Sequence, residues 1–377
     1  MIRLCGASSL LISAVVLEAL SQSPPPVVQS PDVHADHRVT FRVRAPNATE
    51  VMLAREGAAD RVPLRKADGD VWTVTTEPLE PDLYGYAFVI DGVTVIDPSN
   101  SLIKPNLLNL QSVVHVPGPP SLPWEIKDVA HGAVVHHLYK SRIVGDDRDF
   151  FVYTPPGYSA DAAKLYPVLF LLHGFSDDAS AWTAVGRANV IFDNLIAEGV
   201  VSPMLVVMPL GYGAPEIVRR GFAGLQDETM RQRNYDRFRD ALLTEVIPRV
   251  ENEYRVSKNR EARAIAGLSM GGAESLLVGL NALNRFAWIG AFSTGGLTDD
   301  FDRAFPAVDA KSNDQLRLLW IACGTEDRLI DSNRKLRQWL AAKGVHHDAI
   351  DTPGAHTWMV WRRNLASFAA LLFRRRS

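Results

Sequence analysis

Cysteine is scarce: the 377 residues contain two, and their positions exclude an intramolecular disulfide. Cys5 lies in a leading apolar segment expected to be removed, which leaves Cys323 alone. Cys323 ends an apolar, strand-like run, where a thiol reads as a small buried hydrophobe rather than a nucleophile. An excess of one charge is also missing. Forty Lys and Arg against 43 Asp and Glu leave a net charge of −3, so neither nucleic acid nor an anionic membrane has an electrostatic hold. The basic run Arg374-Arg375-Arg376 suits a solvated helix C-terminus. Beyond Leu20 no apolar run approaches spanning length, and stable membrane insertion is not expected. Internal repeats are absent. His131, His136 and His137 have no carboxylate or cysteine at ligand spacing, so they read as a solvated strand, and no metal or cofactor is expected.

What is present divides the chain. Arg3, the largely apolar stretch Leu4 to Leu20 and the small residues Ala19 and Ser21 predict a signal peptide over 1–21, hence a periplasmic or secreted protein. Residues 22–30, with Pro24 to Pro26, read as an extended tether. Over 31–117 short alternating runs such as Val39 to Arg44 recur, with Asp68-Gly69 and Asp91-Gly92 as turns, and this predicts a small β-sandwich. Residues 118–130 open on Gly118-Pro119-Pro120 and read as a linker. From 131 to 377 the texture changes. Val134 to Ser141 and Arg148 to Thr154 predict a strand pair, and Val168 to Leu172, Met204 to Met208, Arg263 to Ala266 and Leu316 to Cys323 are continuous apolar runs. Runs of that length suit a mostly parallel sheet buried on both faces. Helical patterns lie between them. In Asn234 to Tyr254 the residues Phe238, Leu242, Val246 and Val250 make one apolar face, with Pro248 expected to kink or divide the helix. The fold class predicted is α/β, with the sheet domain preceded by the sandwich.

The strongest chemical signal is Gly267-Leu268-Ser269-Met270-Gly271-Gly272, between a strand-like Ala262 to Ala266 and a helix-like Ala273 to Leu283. In that context G-x-S-x-G is a nucleophile elbow, whose glycines remove collisions across a turn sharp enough to expose the serine hydroxyl. Ser269 then needs a base downstream. His356, in Gly354-Ala355-His356-Thr357-Trp358, follows the last strand-like segment, Asp348 to Thr352, whereas His346-His347 stands at the opposite end of it. The acid that orients the imidazole ends the preceding strand, at Gly324-Thr325-Glu326-Asp327. Asp327 is the choice, with Glu326 and then Asp331 as alternatives. Oxyanion donors are expected from the backbone N–H of Met270 and of Phe175, with His173 shaping the latter's loop. Trp182 and Trp358 are candidates for stacking on an aromatic or sugar ring, Trp358 the better one and Trp182 suiting core packing equally. The arginines at 219, 220, 231, 233, 237 and 239, beside the Gly-rich stretch Gly211 to Gly224, read as a helix face that also suits an acidic substrate.

With Tyr153-Thr154-Pro155-Pro156-Gly157-Tyr158, Leu172-His173-Gly174, the elbow, Gly324-Thr325-Glu326-Asp327 and Gly354-Ala355-His356-Thr357-Trp358, residues 128 to 374 resemble the esterase D family. That family includes feruloyl, acetyl xylan and enterochelin esterases and mycolyltransferase-like enzymes. The resemblance implies an α/β-hydrolase fold with the triad on Ser269, Asp327 and His356, and it departs from the family where Glu274 follows the elbow in place of Gln. Arg42 to Pro46 and Leu83-Tyr84-Gly85-Tyr86 resemble an early-set, glycogen-binding-like sandwich. Together these imply a polysaccharide-directed serine esterase acting on feruloyl or acetyl esters. A siderophore esterase, an acyltransferase and a non-catalytic glycan-binding protein are the alternatives.

Overall fold

The computed structural model describes residues 27–160 and 163–374. The expected signal segment, most of the tether, Arg375 and Arg376 lie outside the described residues. Two sheets form the N-terminal sandwich. One orders Asp32–Val33, β1 (Val39–Arg44), β3 (Val71–Thr75) and Arg65–Lys66. The other orders Val62–Pro63, β2 (Val51–Arg55), β4 (Asp82–Ile90), β6 (Gln111–Val116) and β5 (Ile103–Lys104), with Val93–Val95 beside β4. The alternation foreseen in β1 turns Val39, Phe41 and Val43 into a core shared with Val51, Leu53, Tyr86 and Phe88 of the facing sheet. Strand β4 is buried along both faces, because its outer side lies on the second domain.

That domain is an eight-stranded sheet, ordered β7 (Ala133–Lys140), β8 (Asp147–Thr154), β10 (Leu205–Pro209), β9 (Val168–Leu172), β11 (Arg263–Leu268), β12 (Trp288–Phe292), β13 (Leu318–Gly324) and β14 (Asp348–Thr352). The first two strands are antiparallel and the rest run parallel from β10 to β14. The continuous apolar runs are the strands with helices on both faces, and β9 to β13 are buried at every position. Among the described residues no helix is long and apolar enough to cross a membrane.

The long helical pattern starts earlier than expected. Helix α2 (Glu228–Ala241), which follows α1 (Ala188–Ala197), begins where the Asp227 carboxylate caps the Met230 N–H at 3.0 Å. Pro248 does not divide the chain there. Having no N–H and a ring that crowds the carbonyl of Thr244, it is accommodated by a π-helical turn over Leu242–Val246, and α3 (Ile247–Glu253) continues from it. Phe238, Leu242, Val246 and Val250 all remain buried across the irregular turn. Three further long helices are α4 (Met270–Asn281), α5 (Ile330–Ala342) and α6 (Trp358–Ala369).

Helix α6 joins the domains. The Arg362 guanidinium, fully buried, donates to Asp82 Oδ1 at 2.8 Å and to Leu83 O at 2.7 Å in β4. It also reaches Val185 O in its own domain at 3.0 Å.

Candidate active site

Strand β11 runs into α4 through Ser269, which sits at the junction with φ 51° and ψ −114°. A side chain rarely holds that conformation, and only a well-supported turn maintains it. The glycines around it are obligatory: a Cβ on Gly267 would lie 2.4 Å from Gly271 O, and one on Gly271 2.5 Å from His173 O. The helix starts immediately, at Met270 rather than Ala273, because the strained residue itself occupies the cap position.

Three side chains distant in sequence meet at the C-terminal rim of the sheet. His356 Nε2 lies 3.0 Å from Ser269 Oγ, and its Nδ1 lies 2.8 Å from Asp327 Oδ2. A carboxylate only accepts, so Nδ1 carries the proton and Nε2 is left to accept from the serine hydroxyl. Asp327 is 1% exposed. Burial pushes its carboxyl up, but the hydrogen bond and charge of His356 and the Leu329 N–H outweigh it and hold the group below the usual value. Glu326, the adjacent alternative, is exposed, and Asp331 pairs with Arg334 on the surface.

The oxyanion loop lies opposite. His173 is buried, with Nδ1–H donating to Gly174 O at 2.8 Å and Nε2 accepting the Gly211 N–H at 2.9 Å. Burial depresses its pKa to about 4, so it is neutral and shapes the loop. Among the described residues, the Phe175 and Met270 N–H groups donate to no other group and stay available for a developing negative charge. Gly295 also borders the nucleophile; a Cβ there would come within 3.3 Å of Ser269 Oγ.

Trp182 and Trp358 are not substrate contacts. They are 1% and 2% exposed and pack edge to face at 5.1 Å in the core, with Trp182 Nε1–H donating to Leu172 O. They hold α6 against the sheet. Of the arginine face, Arg231, Arg233, Arg237 and Arg239 line a groove of about 1040 Å³ with Tyr235, Gly296 and Leu297. Its guanidinium groups are largely engaged: Arg231 on Leu225 O, Arg237 on Ile143 O and Val144 O, Arg239 on Asp236 and Asp240, Arg233 on Glu216. His136 pairs with Asp149 and stacks on Phe151, His137 bonds the Tyr254 hydroxyl, and His131 pairs with Asp193. The carboxylates near these histidines come from neighbouring elements, which local spacing does not reveal.

Two groups escaped the sequence reading as site residues. Asp177, behind the oxyanion loop, has its carboxyl pushed up by burial to about 7. Glu56, from the sandwich, reaches the backbone beside His356 and accepts the Trp358 N–H at 3.0 Å. Neither has a local signal, since each takes its role from a partner far away in the chain.

Residues 141–372 match the model of the esterase family, and residues 29–106 that of carbohydrate-binding module 48, the isoamylase N-terminal domain. The chain is 29% identical over 356 residues to an endo-1,4-beta-xylanase/feruloyl esterase of Xylanibacter ruminicola, across 93% of this chain and 46% of that protein. It thus spans about half the length of that relative. An enterochelin esterase structure from Shigella flexneri aligns with TM-score 0.68 at 18% identity, over 90% of this chain and 94% of that one. A ferulic acid esterase from Anaeromyces mucronatus, in complex with ferulic acid, aligns with TM-score 0.55 at 23% identity, over 66% of this chain and 93% of that one.

Proposed function

The chain belongs to the esterase family, and on that premise we propose that it is an exported serine carboxylesterase that removes feruloyl or acetyl groups from plant polysaccharide such as xylan. The hydrogen-bonded series Ser269–His356–Asp327, at 3.0 and 2.8 Å, carries the reading. Ser269 Oγ attacks the ester carbonyl while His356 Nε2 takes its proton, and Asp327 stabilises the imidazolium. The oxygen that becomes negative is met by the Phe175 and Met270 N–H groups. His356 then returns the proton to the departing sugar alcohol, leaving an acyl group on Ser269. Water enters by the same route in reverse and frees the acid.

The substrate class draws support from two likenesses. The relative matched along nearly the whole chain is one whose name joins xylanase to feruloyl esterase, and the N-terminal region matches a carbohydrate-binding module. The two-domain fold likeness to enterochelin esterase favours, as a second reading, a siderophore ester. Rates on methyl ferulate, acetylated xylan and a triester siderophore decide between them. The expected result is turnover of a feruloyl or acetyl ester, reduced about 10⁶-fold by Ser269→Ala. Dominant turnover of the triester moves the assignment to the siderophore, and equal, feeble rates on all three remove the xylan reading. If Ser269→Ala matched the parent, catalysis at this serine would be excluded. Product analysis with a sugar acceptor separates hydrolysis from acyl transfer, and fractionation of the producing cells tests export.

A further inference from the structure

Two parts of the proposed serine esterase site, the turn that bears the base and the loop that bears an oxyanion donor, are bonded here to the N-terminal domain. Glu56, just beyond β2, carries the first link. Its Oε1 accepts the N–H of Trp358, the first residue of α6 and the second after His356. Thr357 stands at the cap position of that helix, yet its side chain makes no capping bond and its hydroxyl is buried without a partner. The cap comes instead from a carboxylate in another domain. Glu56 Oε2 is itself fixed, by the Gly85 N–H at 3.1 Å and by Lys104 Nζ at 3.3 Å. A buried negative charge at a helix N-terminus is favourable in itself, and here it also pins the turn that carries the imidazole.

Asn106, two residues beyond Lys104, carries the second link. Its Oδ1 accepts the N–H groups of Leu108 and Asn109, which fixes the side chain. Its Nδ2 then donates to Ser176 Oγ and to Asp177 Oδ1, each at 2.9 Å, and the next N–H, of Leu107, donates to Ser176 O at 2.7 Å. Ser176 has φ 71° and directly follows Phe175, the expected oxyanion donor. A left-handed serine persists only where its surroundings impose it, and Asn106 and Leu107 of the sandwich supply two of the bonds that hold it.

We propose that Glu56 and Asn106 are positioning residues for catalysis, so that the N-terminal domain completes the hydrolase site as well as meeting the glycan. The proposal rests on the serine esterase reading above. Displacing a reacting group by about 1 Å costs about 10²-fold in rate, which makes the loss of either link measurable.

The test uses the full chain and p-nitrophenyl acetate, an ester too small to need a glycan site. Asn106→Ala and Glu56→Ala are each expected to lower kcat about tenfold or more, with KM changed less than about twofold. The rate at which a fluorophosphonate labels Ser269 falls in parallel, while the fraction finally labelled stays complete. Glu56→Gln, which keeps an oxygen for the Trp358 N–H, recovers most of the loss. Unchanged kcat on the small ester, with loss only on polymeric xylan, overturns the proposal in favour of a pure binding module. A smaller labelled fraction with an unchanged rate per labelled site overturns it in favour of a merely structural role. If the parent labels at Ser269 but hydrolyses no ester, the esterase reading fails, and the labelling rates still test the positioning on their own.

Discussion

Residue identities were legible wherever chemistry and backbone demand coincide. Ser269 needs glycines two positions away on either side, and His356 must hang beyond the last strand, so both stand out in a chain with ten histidines. The acid was open between neighbours. Burial and the bond to His356 separate Asp327 from the exposed Glu326, and adjacent residues of one turn give no sequence sign of which faces inward. The tryptophans are ambiguous for the same reason: a ring type suits a substrate platform and a core equally, and Trp182 and Trp358, the latter expected at the substrate, spend theirs on each other. Glu274 marks a third case. It is buried beside Asn234, with one carboxyl oxygen lacking a partner, and burial pushes its pKa well above 4.5 despite the Arg148 charge. The folded state therefore holds a proton that the unfolded chain gives up. Its contribution to stability is complete below about pH 4.5 and is lost as pH rises through the folded-state value. Glu274→Gln, neutral at every pH and of the same shape, is expected to melt increasingly above the parent as pH rises, with the two converging in acid. Melting temperatures across the pH range check this, and parallel curves would mean that the carboxyl titrates normally.

Elements were foreseen where one period ran without interruption. Strands β9, β10, β11 and β13 stand out in the sequence because burial on both faces demands an unbroken apolar run, and their ends differ by only a few residues, whereas β12 is not among the runs read there. The π-helical turn was not foreseen. Pro248 signals trouble, but whether a helix breaks, kinks or inserts a residue depends on the packing of Leu242 and Val246, which hold their places in the core. At the elbow the constraint comes from backbone rather than from flexible side chains. A methyl on Gly271 would meet both His173 O and Leu172 O, at 2.5 and 2.6 Å, so the helix must back away from β9. Gly271→Ala is expected to cost about 1–3 kcal/mol by overpacking and to abolish turnover by moving the Met270 N–H. Denaturant unfolding and steady-state rates on a small ester measure the two effects. Full activity in a destabilised protein would separate the helix position from the oxyanion site.

At the scale of the molecule, the composition change around residue 118 announces two domains but nothing of the seam between them. The residues that build it, such as Asp82 and Arg362, are separated by most of the chain and look like ordinary charges until folded. Their sequence neighbourhoods differ in kind, a strand and a helix, so no pattern links them. In the structure both side chains are almost wholly buried, at 0% and 1% exposure. Arg362 directs its guanidinium to Asp82 and to the carbonyls of Leu83 and Val185, while Arg363, which shares the same carboxylate at 2.9 Å, stays partly in water. Removing the carboxylate is therefore asymmetric: Arg363 returns to solvent, but Arg362 is left as a buried charge facing carbonyl dipoles alone. Losing one partner of such a pair typically costs about 3–5 kcal/mol. Asp82→Ala is expected to lower the stability of the whole chain by that order. Because the pair ties both cores together, the parent should unfold in a single transition and the variant in two, with the sandwich separating first. Calorimetry distinguishes these outcomes, and a single transition at the parent's temperature would mean that the domains are held by their apolar contacts, with the ion pair contributing nothing net.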